Sequence, residues 1–325
     1  MVHLWSFFYL VKQKMNKNIL VTGGTGFIGS EITKYLVKKN YNVTVFDDNS
    51  RGKTNRLESV WKKIKFIKGD IRNRKQVYLA TKNIHSIIHL AYINGTKFFY
   101  SRPYEILEVA TKGMLNLIDA CKINNIKKFY LASSSEVYQT PLKIPTDEKE
   151  MLKIPDIFNP RYSYGGGKII SELLGLHFAK KNIKKFIIFR PHNVYSGDMG
   201  NEHVIPEFIN RIKNIKKDGK FLMQGDGNQK RSFIHIDDFI EAFDKVFKKG
   251  KNQEIYNIGT TEVIKIKDLA KKISKIFNTK IKLKKIKINA GGTKIRCPNI
   301  NKLKKLGFKP RINLDKGLEK IATEL

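Results

Sequence analysis

Tyr164 and Lys168 stand four residues apart in the run Tyr164-Gly165-Gly166-Gly167-Lys168. The stretch after them, IISELLGLHFAKK, predicts a helix, and an i,i+4 pair on a helix shares one face. A phenol with its ordinary pKa of about 10 is a poor base at neutral pH. A nearby ammonium and a positively charged nicotinamide ring both favour the phenolate, so the pair can take a proton from a hydroxyl. Three consecutive glycines cost a helix roughly 1 kcal/mol each relative to alanine. A plain surface helix has no reason to carry them, and close approach of a cofactor or substrate to the backbone would supply one.

A second chemical feature lies near the start of the chain. The apolar run NILVTG (18–23) leads into Gly23-Gly24-Thr25-Gly26-Phe27-Ile28-Gly29. The glycines let the turn tighten, the backbone approach a pyrophosphate, and the following helix pack on the sheet. A helix N-terminus offers free N–H groups and partial positive charge to phosphates. Asp47 follows Gly23 by 24 residues, at the end of the second apolar run. A carboxylate there binds ribose hydroxyls and repels a 2′-phosphate, which favours NAD over NADP. Arg51, four residues on, could weaken that preference.

The elements needed to hold these groups are legible as a repeat. Near-continuous apolar runs at 18–23, 42–47, 64–70, 85–91, 128–134 and 184–191 read as parallel strands buried on both faces. Amphipathic stretches lie between them, including 30–39 and 104–123. The pattern predicts an α/β fold with a Rossmann-type doubly wound parallel sheet over 16–190. A smaller C-terminal α/β lobe is expected over 191–325, with helices around 203–217, 237–249, 265–277 and 314–324. Residues 1–15 read as an N-terminal extension. Its apolar run is too short to span a bilayer and has no small-residue cleavage site, so a cytoplasmic protein is expected.

The GxxGxxG spacing resembles the extended short-chain dehydrogenase/reductase family of NAD-dependent nucleotide-sugar epimerases and dehydratases, UDP-glucose 4-epimerase-like. Matches continue along the chain. Gly69-Asp70-Ile71 resembles the turn where the Asp side chain and the next N–H contact adenine. His89-Leu90-Ala91 resembles the segment that puts Ala91 beside the cofactor, although Tyr92 departs from the usual second alanine and Ala110 from a frequent asparagine. The resemblance thus implies NAD contacts from Gly23, Gly26, Phe27, Ile28, Gly29, Asp47, Asp70, Ile71, Ala91, Tyr164 and Lys168. It gives Ser134, in Ser133-Ser134-Ser135-Glu136-Val137-Tyr138, the role of binding the sugar oxygen being oxidised, next to Glu136. Arg190-Pro191-His192-Asn193-Val194-Tyr195 resembles a motif in which Asn193 contacts the diphosphate or sugar. Val204 would contact the nucleotide base, and Arg231 and Arg296 would clamp the diphosphate, for which a guanidinium fork is suited.

Composition narrows the partners. The formal charge is +34, but lysines are scattered through nearly every segment and no aromatic-interleaved basic stripe accompanies them, so nucleic acid is not expected as a partner. The two cysteines, Cys121 and Cys297, lack metal or redox spacing. His85 and His89 share a strand face but lie about 13 Å apart along it, so no metal site is expected. The resemblance adds a nucleotide-diphosphate sugar as substrate and a homodimer on helices 104–123 and 162–180.

The chemistry that follows starts with Tyr164 taking the C4 hydroxyl proton as hydride leaves C4. The 4-keto sugar could then turn over and be reduced on its other face, lose water across C5–C6, or, as a uronate, lose carbon dioxide. Dehydratases resemble Thr-Asp-Glu where this chain has Ser134-Ser135-Glu136, and Ser135 is no general acid. Decarboxylases resemble Thr-Ser-Glu. A 4-epimerase demands least of the site and is favoured, ahead of a UDP-glucuronate decarboxylase and a dTDP-glucose 4,6-dehydratase. A non-catalytic NAD-binding regulatory protein is the alternative of another class, and the Ser134/Tyr164/Lys168 set weighs against it.

Overall fold

The computed structural model describes residues 17–200, 202–215, 219–286 and 292–324. The extension expected at 1–15 lies outside them. Seven parallel strands form the central sheet: β1 (Asn18–Thr22), β2 (Asn42–Asp47), β3 (Ile64–Lys68), β4 (Ser86–His89), β5 (Lys128–Ala132), β6 (Lys185–Pro191) and β7 (Glu254–Ile258). Their order across the sheet is β7-β6-β5-β4-β1-β2-β3. The first six coincide with the apolar runs. The seventh comes from within the 191–325 stretch and pairs with β6 from Glu254↔Ile187 to Ile258↔Pro191.

Burial on both faces explains why these strands are apolar throughout. Along β1, Ile19 and Val21 join a core layer with Ile32, Leu36, Phe243 and Phe247, while Leu20 joins the opposite layer with Ile106, Met114 and Phe186. The helices Phe27–Lys38 and Ile236–Lys249 cover the first face. Pro103–Ile123 and Ser163–Asn182 cover the second. Strand order reverses between β1 and β4, and that switch point opens a crevice at the carboxyl ends of the strands.

The C-terminal lobe has its own core, built from Ile205, Phe208, Ile212, Phe221, Leu269, Ile273, Leu318 and others. Its helices run Val204–Lys213, Ile266–Ile276 and Leu314–Glu324, within a few residues of three of the expected segments, whereas the helix expected at 237–249 is Ile236–Lys249 and packs on the main sheet. Among the described residues, no helix is long and apolar enough to cross a membrane.

Candidate active site

Gly23 sits at φ +72°, and a Cβ there would stand 2.6 Å from the Ala91 nitrogen. A Cβ on Gly29 would stand 2.0 Å from the Gly23 carbonyl. The turn after β1 therefore requires glycine at both positions, because β4 and the turn's own backbone crowd it. The helix Phe27–Lys38 opens from Gly26 with no side chain capping it, so its first N–H groups face the crevice. Gly23, Gly26, Phe27, Ile28 and Gly29 all line one cleft of about 860 Å³. This is the cradle that a dinucleotide's pyrophosphate fits.

Asp47 ends β2 and is buried. Its Oδ2 accepts from the Thr25 amide (3.0 Å) and its Oδ1 from the Asn49 amide (2.9 Å). These bonds fix the carboxylate at the end of β2 and leave it lone pairs for further donors. Arg51 does not stay beside it. Its guanidinium lies 4.5 Å above the Phe98 ring and its Nη2 donates to Glu202 (3.1 Å). The competing cation is thus directed at the opposite lobe, as is Arg56, whose Nε donates to Asp198 (2.7 Å).

Asp70 is engaged more heavily than the resemblance implies. Arg72 forks onto it with Nε–Oδ2 at 2.9 Å and Nη2–Oδ2 at 2.6 Å, and the Arg72 amide bonds its Oδ1 at 2.8 Å. Burial pushes the Asp70 carboxyl up, but these bonds win and hold it below the usual range. Ile71 is buried against Gly113.

The helix Ser163–Asn182 carries Tyr164 and Lys168 into the cleft at the end of β5. Lys168 Nζ donates to the Ala132 carbonyl at 2.7 Å and lies 5.9 Å from the Tyr164 ring centre. Ser134 pulls the Tyr164 phenol down against burial, and the Tyr164 ring stacks on Phe99 at 4.9 Å. Burial drives both groups toward their neutral forms. It pushes the Tyr164 phenol well up, and it pulls the Lys168 ammonium down to about 7 against the opposing pull of Glu172. Ser134 has a double role, because its Oγ also accepts from the Glu136 amide (3.2 Å) and so caps the turn Ser135–Tyr138.

The packing around the glycine triplet by itself requires small residues. A Cβ on Gly165 would meet the Gln139 side chain at 2.6 Å, and one on Gly166 would meet Ile154 at 3.2 Å. On Gly167 it would meet the Tyr92 hydroxyl at 2.2 Å and the Ala110 Cβ at 2.8 Å. Protein side chains crowd this stretch. Behind it, Glu172 receives a buried fork from Arg190 (2.9 and 2.5 Å), whose Nη1 also donates to Tyr138 (2.7 Å). That network ties the helix Ser163–Asn182 to β6 and to the turn after β5.

Glu136 points into a cluster of arginines. Arg296 Nη1 donates to its Oε1 at 2.8 Å, and Arg161 Nη2 lies 3.8 Å from its Oε2. Burial raises the Glu136 carboxyl, but the pull of Arg296 and Arg161 prevails and keeps it ionised. Arg231 lines the same cleft and donates to the Lys230 carbonyl (2.8 Å), with burial pulling its guanidinium down to about 9. Asn193 adopts φ +42° and gives its Nδ2 to the Ser232 carbonyl (2.7 Å). Val204 begins a helix at the cleft wall.

Ser134, Glu136, Tyr164, Lys168, Asn193, Val204, Arg231 and Arg296 therefore meet in one cleft, together with the glycine turn. Asp47, Asp70, Ile71 and Ala91 are not part of its lining. Sequence reasoning missed Arg161, which only its position just before the Tyr–Lys helix could have flagged. It also missed Tyr92, which it noted only as a departure. His89 is committed to the core, its Nδ1 at 2.7 Å from Thr22 Oγ1.

Comparison with known proteins agrees with this geometry. A profile of the NAD dependent epimerase/dehydratase family matches residues 19–259. The chain is 30% identical to a UDP-N-acetyl-alpha-D-glucosaminuronate decarboxylase of Bacillus cytotoxicus over 94% of its own length and 96% of that protein's. It is 33% identical to a dTDP-D-glucose 4,6-dehydratase of Dictyostelium discoideum over 80% of its length, spanning 62% of that protein. It spans 46% of trifunctional UDP-glucose 4,6-dehydratases of Arabidopsis thaliana. The structure of a UDP-glucose 4-epimerase from Thermotoga maritima, with UDP-glucose, superposes with a TM-score of 0.84 at 26% identity, covering 94% of this chain and 97% of that one. The chain belongs to the NAD-dependent epimerase/dehydratase family, whose members act on nucleotide sugars.

Proposed function

We propose that this chain is a nucleotide-sugar 4-epimerase working through a transient 4-keto sugar. The observation that carries the reading is the pairing of Glu136 with Arg296 and Arg161 next to the Ser134–Tyr164–Lys168 set. NAD, when bound, accepts the hydride from C4. Tyr164 takes the C4 hydroxyl proton, Ser134 holds the sugar oxygen, and Lys168 supplies positive charge to the developing phenolate. Because burial favours the neutral phenol, that charge is needed. Reduction of the keto sugar on its other face then asks only for room to turn over.

Elimination of water asks for more. It needs a carboxylic acid as well as a base, and Ser135 is neither, while Glu136 is held as a carboxylate by two arginines. A 4,6-dehydratase is therefore the less supported outcome. Decarboxylation is the second reading. A uronate oxidised at C4 is a β-keto acid, and Arg231 is a half-buried cation in the cleft suited to its carboxylate. In either reading Asn193, Val204, Arg231 and Arg296 form the nucleotide-sugar side of the cleft. Incubation with UDP-glucose, UDP-glucuronate and dTDP-glucose, followed by NMR, separates the readings. A 4-epimer supports the proposal, whereas a pentose nucleotide or a 4-keto-6-deoxy sugar assigns the chain to the other branches. Unchanged substrates throughout favour a non-catalytic NAD-binding protein.

A further inference from the structure

Lys168 has an unusual seat. Its Nζ lies 3.7 Å from the centre of the Tyr92 ring, closer than to the Tyr164 ring, and its hydrogen bond goes to a carbonyl, that of Ala132. The charged and titratable groups around it are Tyr92 and His89 from β4 and the loop after it, and Tyr164 and Glu172 from its own helix. Glu172 is committed to the Arg190 fork, and His89 is buried, held by Thr22 and pushed down to about 3, so it is neutral. The ammonium therefore rests on a backbone oxygen and an aromatic face. A cation over a tyrosine face is attracted by the ring quadrupole, more so when desolvated.

Tyr92 is itself locked in place. Its ring meets Tyr164 edge-on at 5.2 Å and 85°. Its hydroxyl is buried without a hydrogen-bond partner and occupies the position that a Cβ on Gly167 would need. A buried unpaired hydroxyl is costly, so the phenol's hydrogen bonding does not explain the residue, whereas its ring does.

We propose that Tyr92 is a positioning residue for Lys168: its ring face holds the ammonium beside Tyr164, and Gly167 leaves the space its hydroxyl fills. The kinetic consequence rests on the role proposed above for Lys168, but the titration of Lys168 does not. The test is therefore the pH titration of Lys168 itself, by NMR of NAD-bound protein carrying 13Cε-labelled lysine, with Lys168→Arg identifying the signal. Tyr92→Phe keeps the ring and is expected to titrate with the wild type. Tyr92→Leu keeps the burial and removes the ring, so the ammonium is less stabilised and its midpoint falls by about one pH unit. Tyr92→Met serves the same purpose if the leucine variant does not fold. The proposal is overturned if the Leu or Met variant titrates with the wild type, or if Phe moves as far as they do. Failure to turn over any nucleotide sugar would bear on the proposed function and leave this titration standing.

Discussion

Arg296 Nη1 donates to Glu136 Oε1 at 2.8 Å, a bond between the C-terminal lobe and the turn that follows β5. It fixes the charge of the carboxylate on which the proposed reading rests. A carboxylate with a depressed pKa gives stability that is present above its unfolded value and lost as pH falls through the folded one. The folded value here lies below the ordinary glutamate range, so Glu136 does not titrate near neutrality. Glu136→Gln is expected to leave the position of the acid limb of turnover unchanged above about pH 5 while removing the stability lost on acidification. Turnover profiles and thermal melts against pH measure the two effects. An acid limb near neutrality that disappears in the variant would show Glu136 acting as a titrating acid or base.

Tyr164→Phe should lower turnover by about 10²–10⁴-fold, the usual contribution of a positioned general base. NAD binding should persist, because the glycine turn and Asp47 are untouched. Equal turnover in the variant would remove Tyr164 from the reaction.

Lys168→Met should stabilise the protein at the expense of activity. The lysine's folded pKa, about 7, lies below its ordinary value, so the unfolded chain binds more protons between those limits. The cost of the buried ammonium is fully present below pH 7 and is relieved as pH rises. Thermal melts should therefore show the variant above the wild type at pH 6, by about 2–4 °C per kcal/mol relieved, with the gap closing toward pH 10. A gap that widens with pH contradicts this.

Gly167→Ala should destabilise the protein by about 1–3 kcal/mol through overpacking against Tyr92 and Ala110. Tyr92→Phe in the same chain removes the hydroxyl that stands 2.2 Å from the new methyl and should recover part of the loss. Denaturant titration of the four proteins reads the coupling directly. Simple additivity would show that the two residues do not share this space.

A homodimer is proposed on the paired helices Pro103–Ile123 and Ser163–Asn182, which expose Leu107, Leu115, Ile170 and Leu173 on the outer face of the molecule. Sedimentation should give a dimer mass for the wild type and a monomer mass for Leu173→Asp. A monomeric wild type would contradict it.

Much of this arrangement was legible in the sequence because its causes are local. The β1–glycine–helix turn, Asp47 and the Tyr164/Lys168 spacing each follow from backbone geometry within a few residues. What depends on distant packing was not. The reason for Gly165–Gly167 lies in Gln139, Ile154, Tyr92 and Ala110, which come from three other parts of the chain. Arg51 follows Asp47 closely in sequence yet turns to Glu202, because Phe98 gives it a surface to lie on. The strand Glu254–Ile258 joins the main sheet through pairing with β6, a relationship that periodicity alone cannot express.

In the proposed reaction hydride leaves C4 and returns to the same carbon, and isotopic labelling follows it. With a nucleotide sugar deuterated at C4, the 4-epimer should form more slowly than from unlabelled substrate and should keep its deuterium at C4, because the hydride that is removed is the one that is returned. Product without deuterium at C4, or formed at an unaltered rate with the label lost to solvent, would contradict it.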